Sequence, residues 1–320
     1  MSKSISVCIP TYRRPDLLRH AVGSCLKQTM LPAEILIGDD SPDDETRLVV
    51  EELATCSTVP LRYFHNKPGY GQARNVDRLI HEASGELISV LHDDDEFEPT
   101  AFRLLAAPFD DPEVVASYGK QFLMSEDGVR DIAGSEELNR VYSRTDPYAG
   151  AQRDTMEAAI VQQFPNDCYL VSSHAAKHVG YARAGELGGD ACDYMFGLLL
   201  AQSVRGKKFY FVNRYTSAYR TTFRSVTNRG TLSDMSYYSF KRTIELEDSV
   251  LAIASVVDHL SKKSSGAISQ ALNLGHRGEA VRWFFSKWHR RRIATISGLK
   301  LVAKFVIVVM LPDRRAGRAG

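Results

Sequence analysis

The chain opens on a short apolar run, Ile5 to Ile9, stopped by Pro10. From Pro15 to Gln28 the apolar positions Leu17, Leu18, Ala21, Val22, Cys25 and Leu26 recur at helical spacing, so strand, loop and helix are predicted in that order. The unit then repeats. Glu34 to Gly38 has the pattern of a buried strand, and Asp39-Asp40-Ser41-Pro42 after it favours a turn and a helix N-cap before a helix over Thr46 to Leu53. Leu61 to His65 predicts a third strand and Gln72 to Ala83 a helix. Glu86 to Leu91 predicts a fourth strand that runs directly into His92-Asp93-Asp94-Asp95.

Strands alternating with helices predict an α/β fold with a parallel, doubly wound sheet. In such sheets ligands bind outside the carboxyl ends of the strands. Three polar clusters fall there: Thr11 to Arg14, Asp39-Asp40, and Asp93 to Asp95. From about Val114 the pattern loosens, with helix-like stretches near Thr155 to Phe164 and Tyr194 to Val204 and a strand over Phe209 to Asn213. From Ser233 onward the chain reads as helical, including one helix over Glu245 to Leu260.

With 320 residues and 44% hydrophobic side chains the chain can bury a full core and exceeds the usual size of one domain, so a catalytic domain plus an appendage is expected. A net charge of +1 supplies no general attraction to polyanions, and no nucleic-acid partner is expected. The five cysteines, Cys8, Cys25, Cys56, Cys168 and Cys192, form no CxxC pair and no zinc spacing, which points to a reducing cytoplasm without structural zinc. The start, MSKSISVCIPTYRR, has no long apolar segment before a small-residue cleavage site, so nothing suggests export.

Three consecutive carboxylates at the end of an apolar strand raise one another's pKa unless a cation neutralises them. Oxygen ligands favour Mg2+ or Mn2+, ions that bridge carboxylates to substrate phosphates. Taken alone, the cluster fits a solvated acidic turn capping the next helix equally well.

The segments SVCIPTYRRPDLLRHAVGSCLKQT, ILIGDDSPDDET and GYGQARNVDRLIHEASGELISVLHDDDEFEP resemble, in order and spacing, the inverting family-2 glycosyltransferases of the GT-A fold. The resemblance covers roughly the first hundred residues. It implies a GT-A nucleotide-binding domain with a mostly parallel mixed sheet flanked by helices, and here a helical C-terminal extension follows. It further implies that Pro10, Thr11, Tyr12 and Arg14 pack on the base and ribose of a nucleotide-sugar donor, and that Asp40 accepts a hydrogen bond from the base, with Asp39 the alternative. Gly69, Gly71, Arg74 and Asn75 are implied to shape and line the pocket. The family's acidic motif usually begins with aspartate where this chain has His92. Asp94 is then the metal ligand and Asp93 reaches the ribose or a metal-bound water. Asp95 joins the metal site, contacts the sugar or supports the loop.

An inverting transfer needs a general base for the acceptor hydroxyl. The segment from Gly188 to Ala201 resembles the family's acidic dipeptide before an apolar helix, although the usual Glu-Asp pair is absent; Asp193 is the first choice for the base and Asp190 the second. Either residue also fits a helix cap. Tyr219 to Ser225 resembles the loop that closes over the donor, with Thr222 where many relatives carry histidine. Arg220 and Arg224 are candidates for holding the diphosphate.

In the tail, Arg277, Arg282, Lys287, Arg290, Arg291 and Arg292 interleave with Trp283, Phe284, Phe285 and Trp288, and Ile293 to Leu311 is largely apolar. This pattern suits peripheral attachment, with tryptophans at headgroup depth and arginines near anionic lipid. Lys300 and Lys304 interrupt the run and argue against a spanning helix. A helix packed on protein or in a homodimer interface is the alternative.

The sequence-level expectation is therefore an inverting, metal-assisted sugar transferase. It would use a nucleotide diphosphate sugar, UDP by family preference, and a hydroxyl on a glycan or lipid-linked saccharide in polysaccharide biosynthesis at the cytoplasmic membrane face. Residues 1–230 would form the catalytic domain, with 1–113 the donor half and 114–230 the acceptor half, and 231–320 a helical region. A nucleotidyltransferase would normally open on a Gly-rich loop, which Cys8-Ile-Pro-Thr-Tyr-Arg lacks. A catalytically decayed scaffold is opposed by the retained Asp93 to Asp95.

Overall fold

The computed structural model describes residues 3–222 and 233–290, together with 292, 293, 295, 301, 302 and 305. The chain forms two compact units. The first is Met1–Gly188 with Cys192–Asn228, and the second is Gly189–Ala191 with Arg229–Gly320.

The first unit is built on one mixed sheet. In chain order its strands are β1 (Ile5–Thr11), β2 (Glu34–Asp39), β3 (Leu61–His65), β4 (Leu87–Val90), β5 (Glu96–Phe97), β6 (Val114–Met124), β7 (Arg130–Asp131), β8 (Gly150–Ala151), β9 (Leu170–Ser172) and β10 (Lys208–Arg220). Across the sheet the order is β3-β2-β1-β4-β9-β6-β10-β5. β3, β2, β1 and β4 run parallel, as the alternation with helices predicts. β9 runs antiparallel to both of its neighbours, so the sheet is mixed rather than wholly parallel. β6 and β10 are parallel partners with register shifts at Val212 to Ser217.

β1, β2 and β4 are apolar runs because both faces are covered. Val7, Ile9, Ile35 and Ile37 pack with Leu18, Ala21, Val22 and Cys25 of helix Pro15–Leu26 and with Phe102 and Leu105 beyond β5. Helix Cys192–Ser203 is buried on every side from Cys192 to Ala201, which is why it reads as apolar without a polar face.

The second unit is helical: Met235–Ile244, Asp248–Leu251, Ala254–Asn273, Arg277–Phe284 and Lys287–Arg290. The single helix expected over Glu245 to Leu260 is broken twice, because Glu247 and Ile253 adopt extended backbone and start new helices. The expected interfacial role of the tryptophans is also corrected. Trp283 is buried against Tyr237 and Phe240, with ring centroids 5.4 and 5.1 Å away, and Trp288 is buried as well. Among the described residues no helix is long and apolar enough to cross a membrane. Most of the apolar tail predicted from Ile293 to Leu311, and Arg291 and Arg224 with it, lies outside the described residues.

Candidate functional site

The strand register gathers the predicted polar clusters. Thr11 pairs with Asp39 at the carboxyl ends of β1 and β2, and the N–H of Asp40 donates to the Thr11 carbonyl at 3.1 Å. β4 lies on the other side of β1, and the Thr11 hydroxyl donates to Oδ2 of Asp93 at 2.8 Å. The end of β1 thus joins the aspartates of β2 to the acidic turn after β4.

Asp39 and Asp40 do different work. Asp39 is fully buried, with its carboxylate taken by the Ser41 N–H at 2.8 Å and the Tyr63 hydroxyl at 2.7 Å. Asp40 is half-buried and organises the loop before helix Gln72–Glu82. Its Oδ1 accepts from Asn66 at 2.8 Å and from the Tyr70 N–H at 3.1 Å, and its Oδ2 accepts from the Gly71 N–H at 2.8 Å. A carboxylate offers about four acceptor positions, so Asp40 keeps capacity for one more donor. Gly71, at φ +78°, and Gly69, where a Cβ would stand 3.0 Å from the Asp40 carbonyl oxygen, let this loop close around it.

Other predicted lining residues divide. Tyr12 and Arg74 are exposed, and Pro10 is half-buried at the end of β1. Asn75 is buried: its amide donates to the Gly38 carbonyl at 2.7 Å and accepts from Asn66 at 3.0 Å, tying helix Gln72–Glu82 to the end of β2. Arg14 turns to the acidic turn, where Nη1 reaches Asp93 Oδ1 at 3.0 Å and Asp94 Oδ2 at 2.8 Å.

The acidic turn is electrostatically loaded. Burial and the neighbouring Asp94 push Asp93 up to about 6 despite Arg14 and Thr11, and burial with Asp167 and Asp94 drives Asp95 well above the carboxylate range. Burial alone would lower His92, but Asp167, Asp193 and Asp95 raise it well above the usual imidazole range. One ligand atom from each of His92, Asp94 and Asp95 lies within 4.8 Å of the others, and Oδ2 of Asp95 is buried without a hydrogen-bond partner. Crowded carboxylates with an orphaned oxygen fit a divalent cation.

Asp193 comes to this turn from a hundred residues downstream. Its Oδ1 lies 3.7 Å from Nε2 of His92, beyond hydrogen-bond reach, and its carboxylate accepts from Gln72 Nε2 at 3.2 and 3.3 Å and from the Tyr181 hydroxyl. The helix it opens is therefore not its main partner. Asp190 belongs to the second unit, where its N–H donates to Asp234 at 2.9 Å.

Three contributors escaped the sequence reading. Asp167, just before β9, accepts from the His92 N–H at 3.2 Å, while Gln72 and Tyr181 hold Asp193. No local pattern marks them, since their partners lie 12 to 121 residues away. Arg220 proves to be a buried brace rather than a phosphate ligand. Its N–H donates to Asp95 Oδ1 at 2.7 Å, Nε to the Asp94 carbonyl at 2.8 Å, and its remaining nitrogens reach Glu96 and the Glu126 carbonyl.

The mixed sheet flanked by helices is similar to the GT-A fold of glycosyltransferases. Residues 6–161 match the model for glycosyl transferase family 2. It is 31% identical over 140 residues to an uncharacterised Mycobacterium tuberculosis protein, MT1568, covering 44% of this chain and 42% of the relative. It is 36% identical over 94 residues to the GalNAc(5)-diNAcBac-PP-undecaprenol beta-1,3-glucosyltransferase of Campylobacter jejuni, covering 29% of this chain and 30% of that one. These relatives are thus matched over less than half of their own length. In fold the chain is similar to S. aureus TarS 1-349 in complex with UDP-GlcNAc, with TM-score 0.57 and 13% identity over 96% of this chain and 81% of that one. It is similar too to the mannosyltransferase PcManGT of Pyrobaculum calidifontis in complex with GDP-Man and Mn2+, with TM-score 0.57 and 14% identity over 96% of this chain and 88% of that one.

Proposed function

We propose that the protein transfers a sugar, with inversion, from a nucleotide diphosphate sugar, UDP-linked by family preference, to a hydroxyl of a glycan or lipid-linked saccharide. The observation that carries this reading is the convergence of Thr11, Asp40, Asp93 to Asp95 and Asp193 around the carboxyl ends of β1, β2 and β4. In it, Thr11, Tyr12 and the loop closed by Gly69 and Gly71 receive the base and ribose, with the spare acceptor position of Asp40 for a base N–H. Asp93 faces the ribose, and Asp94 and Asp95 hold Mn2+ or Mg2+. A divalent ion there offsets charge on the departing diphosphate.

Asp193 is assigned as the general base. It accepts the proton of the acceptor hydroxyl as that oxygen bonds to the anomeric carbon, while the bond from that carbon to the diphosphate oxygen breaks on the opposite face. Gln72 and Tyr181 orient the carboxylate for this. The test is product stereochemistry by NMR from a UDP-sugar of known anomeric configuration. An inverted product formed by the wild type and lost in Asp193→Asn supports the reading, and a retained configuration refutes the mechanism.

A lipid-linked acceptor is supported by the undecaprenol-linked substrate in the name of the Campylobacter relative. Peripheral contact with the cytoplasmic membrane face is supported by Phe285, 71% exposed and flanked by exposed Arg282, Lys287 and Arg290. Vesicle co-sedimentation of wild type and Phe285→Ser checks this. Equal pelleting of both with anionic vesicles would remove that face from the proposal.

A further inference from the structure

The turn after β4 carries an imidazole among its carboxylates, and that changes which ion it suits. Asp95 donates its N–H to the His92 carbonyl at 3.2 Å, so the turn folds back on itself. Ligand atoms of His92, Asp94 and Asp95 then lie within 4.8 Å of one another. Two atoms of these residues are buried without a hydrogen bond: Oδ2 of Asp95, a residue only 1% exposed, and Nε2 of His92, which faces Asp193 Oδ1 at 3.7 Å. The other Asp95 oxygen is already satisfied by the N–H of Arg220. An anionic oxygen without a donor and a ring nitrogen without a hydrogen bond, among carboxylates, describe a place that a cation fills.

The opposite side of the ring is arranged accordingly. Asp167 Oδ2 accepts the backbone N–H of His92 at 3.2 Å and stands 4.0 Å from ring Nδ1, so an outer carboxylate lies on the Nδ1 side and leaves Nε2 as the nitrogen for ligation.

We propose that His92 is a nitrogen ligand of the divalent cation, alongside Asp94 and Asp95, and that this mixed site selects Mn2+ over Mg2+. The proposal rests on the metal-assisted reading above. Magnesium prefers oxygen and waters in near-ideal octahedral geometry, whereas imidazole is a good ligand for the first-row transition ions. Replacing an expected carboxylate by imidazole also removes one negative charge, which weakens the hold on a hard ion more than on a softer one.

The test is pulsed EPR on the full chain loaded with Mn2+, with and without UDP, in wild type, Asp94→Asn, His92→Asp and His92→Gln. Electron spin echo modulation from a directly bound 14N is expected in wild type and absent from both His92 variants. Wild type grown on 15N-histidine, in which the modulation must change frequency, gives the same information without a substitution. By calorimetry, His92→Asp is expected to narrow the ratio of Mg2+ to Mn2+ dissociation constants about tenfold. Mn2+ bound with no nitrogen modulation, or modulation that survives His92→Gln, overturns the ligand assignment, and the metal reading stands if Asp94→Asn abolishes that binding. No Mn2+ binding with or without UDP overturns both.

Discussion

Tyr181 donates its hydroxyl proton to Oδ1 of Asp193, holding from helix Tyr181–Gly188 the carboxylate at the start of helix Cys192–Ser203. Gln72 reaches the same carboxylate from helix Gln72–Glu82, so three helices fix one side chain. If Asp193 is the base, loosening it should slow chemistry without weakening donor binding. Tyr181→Phe is expected to lower kcat about tenfold, about 1.4 kcal/mol of barrier, with donor KM unchanged. Asp193→Asn should cost about 10²-fold or more. Steady-state kinetics of both variants checks this, and a Tyr181→Phe effect confined to KM would count against the role.

Glu34 provides a pH test of the fold. Burial alone would push its carboxyl up, but hydrogen bonds from the Ser84 hydroxyl and N–H, the Ser6 hydroxyl and Arg62 bring it down to about 2. A depressed carboxyl contributes stability that is fully present above its unfolded value and is lost as pH falls through the folded one. The wild type should therefore lose stability between about pH 4.5 and 2 that Glu34→Gln lacks throughout. At neutral pH Glu34→Gln should cost about 2 kcal/mol, read by urea unfolding.

Two glycines should respond oppositely to alanine. A Cβ on Gly38 would sit 2.0 Å from Oδ1 of Asn75, so Gly38→Ala should destabilise by about 1–3 kcal/mol and disturb the loop around Asp40. A Cβ on Gly23, within helix Pro15–Leu26, meets nothing within 4 Å, and Gly23→Ala should stabilise by up to about 1 kcal/mol. Paired thermal melts decide both.

Arg220 is only 4% exposed and joins the backbone of the acidic turn to Glu96 and the 126 carbonyl. Arg220→Met should cost about 3–5 kcal/mol by stranding these partners. A surface phosphate ligand would instead leave stability unchanged and raise donor KM.

What could be read in advance followed from local physics. β1, β2 and β4 are covered on both faces and therefore appear as unbroken apolar runs, and their carboxyl ends and the loops after them carry Thr11, Asp40 and Asp93 to Asp95. β6 was hidden because Ser117, Gly119 and Gln121 interrupt its apolar positions. Their room comes from Leu105, Thr216 and Arg144, all distant in sequence. The duties of Asp167, Gln72, Tyr181 and Arg220 were equally hidden, since each is defined only by a partner that the fold brings near. The burial of Trp283 shows the same limit: a basic-aromatic pattern states what a helix can bury, not which surface it meets.

The central claim, a nucleotide-sugar site at the ends of β1, β2 and β4, is tested most directly by thermal shift with uridine, guanosine and thymidine diphosphates and their sugars. Each is measured with and without Mn2+, in wild type and Asp94→Asn. Binding to the native state raises its stability, so the account predicts a selective, Mn2+-dependent rise in Tm that Asp94→Asn abolishes. Folded wild-type protein whose Tm responds to none of these ligands, or equally to all of them without metal, would contradict it.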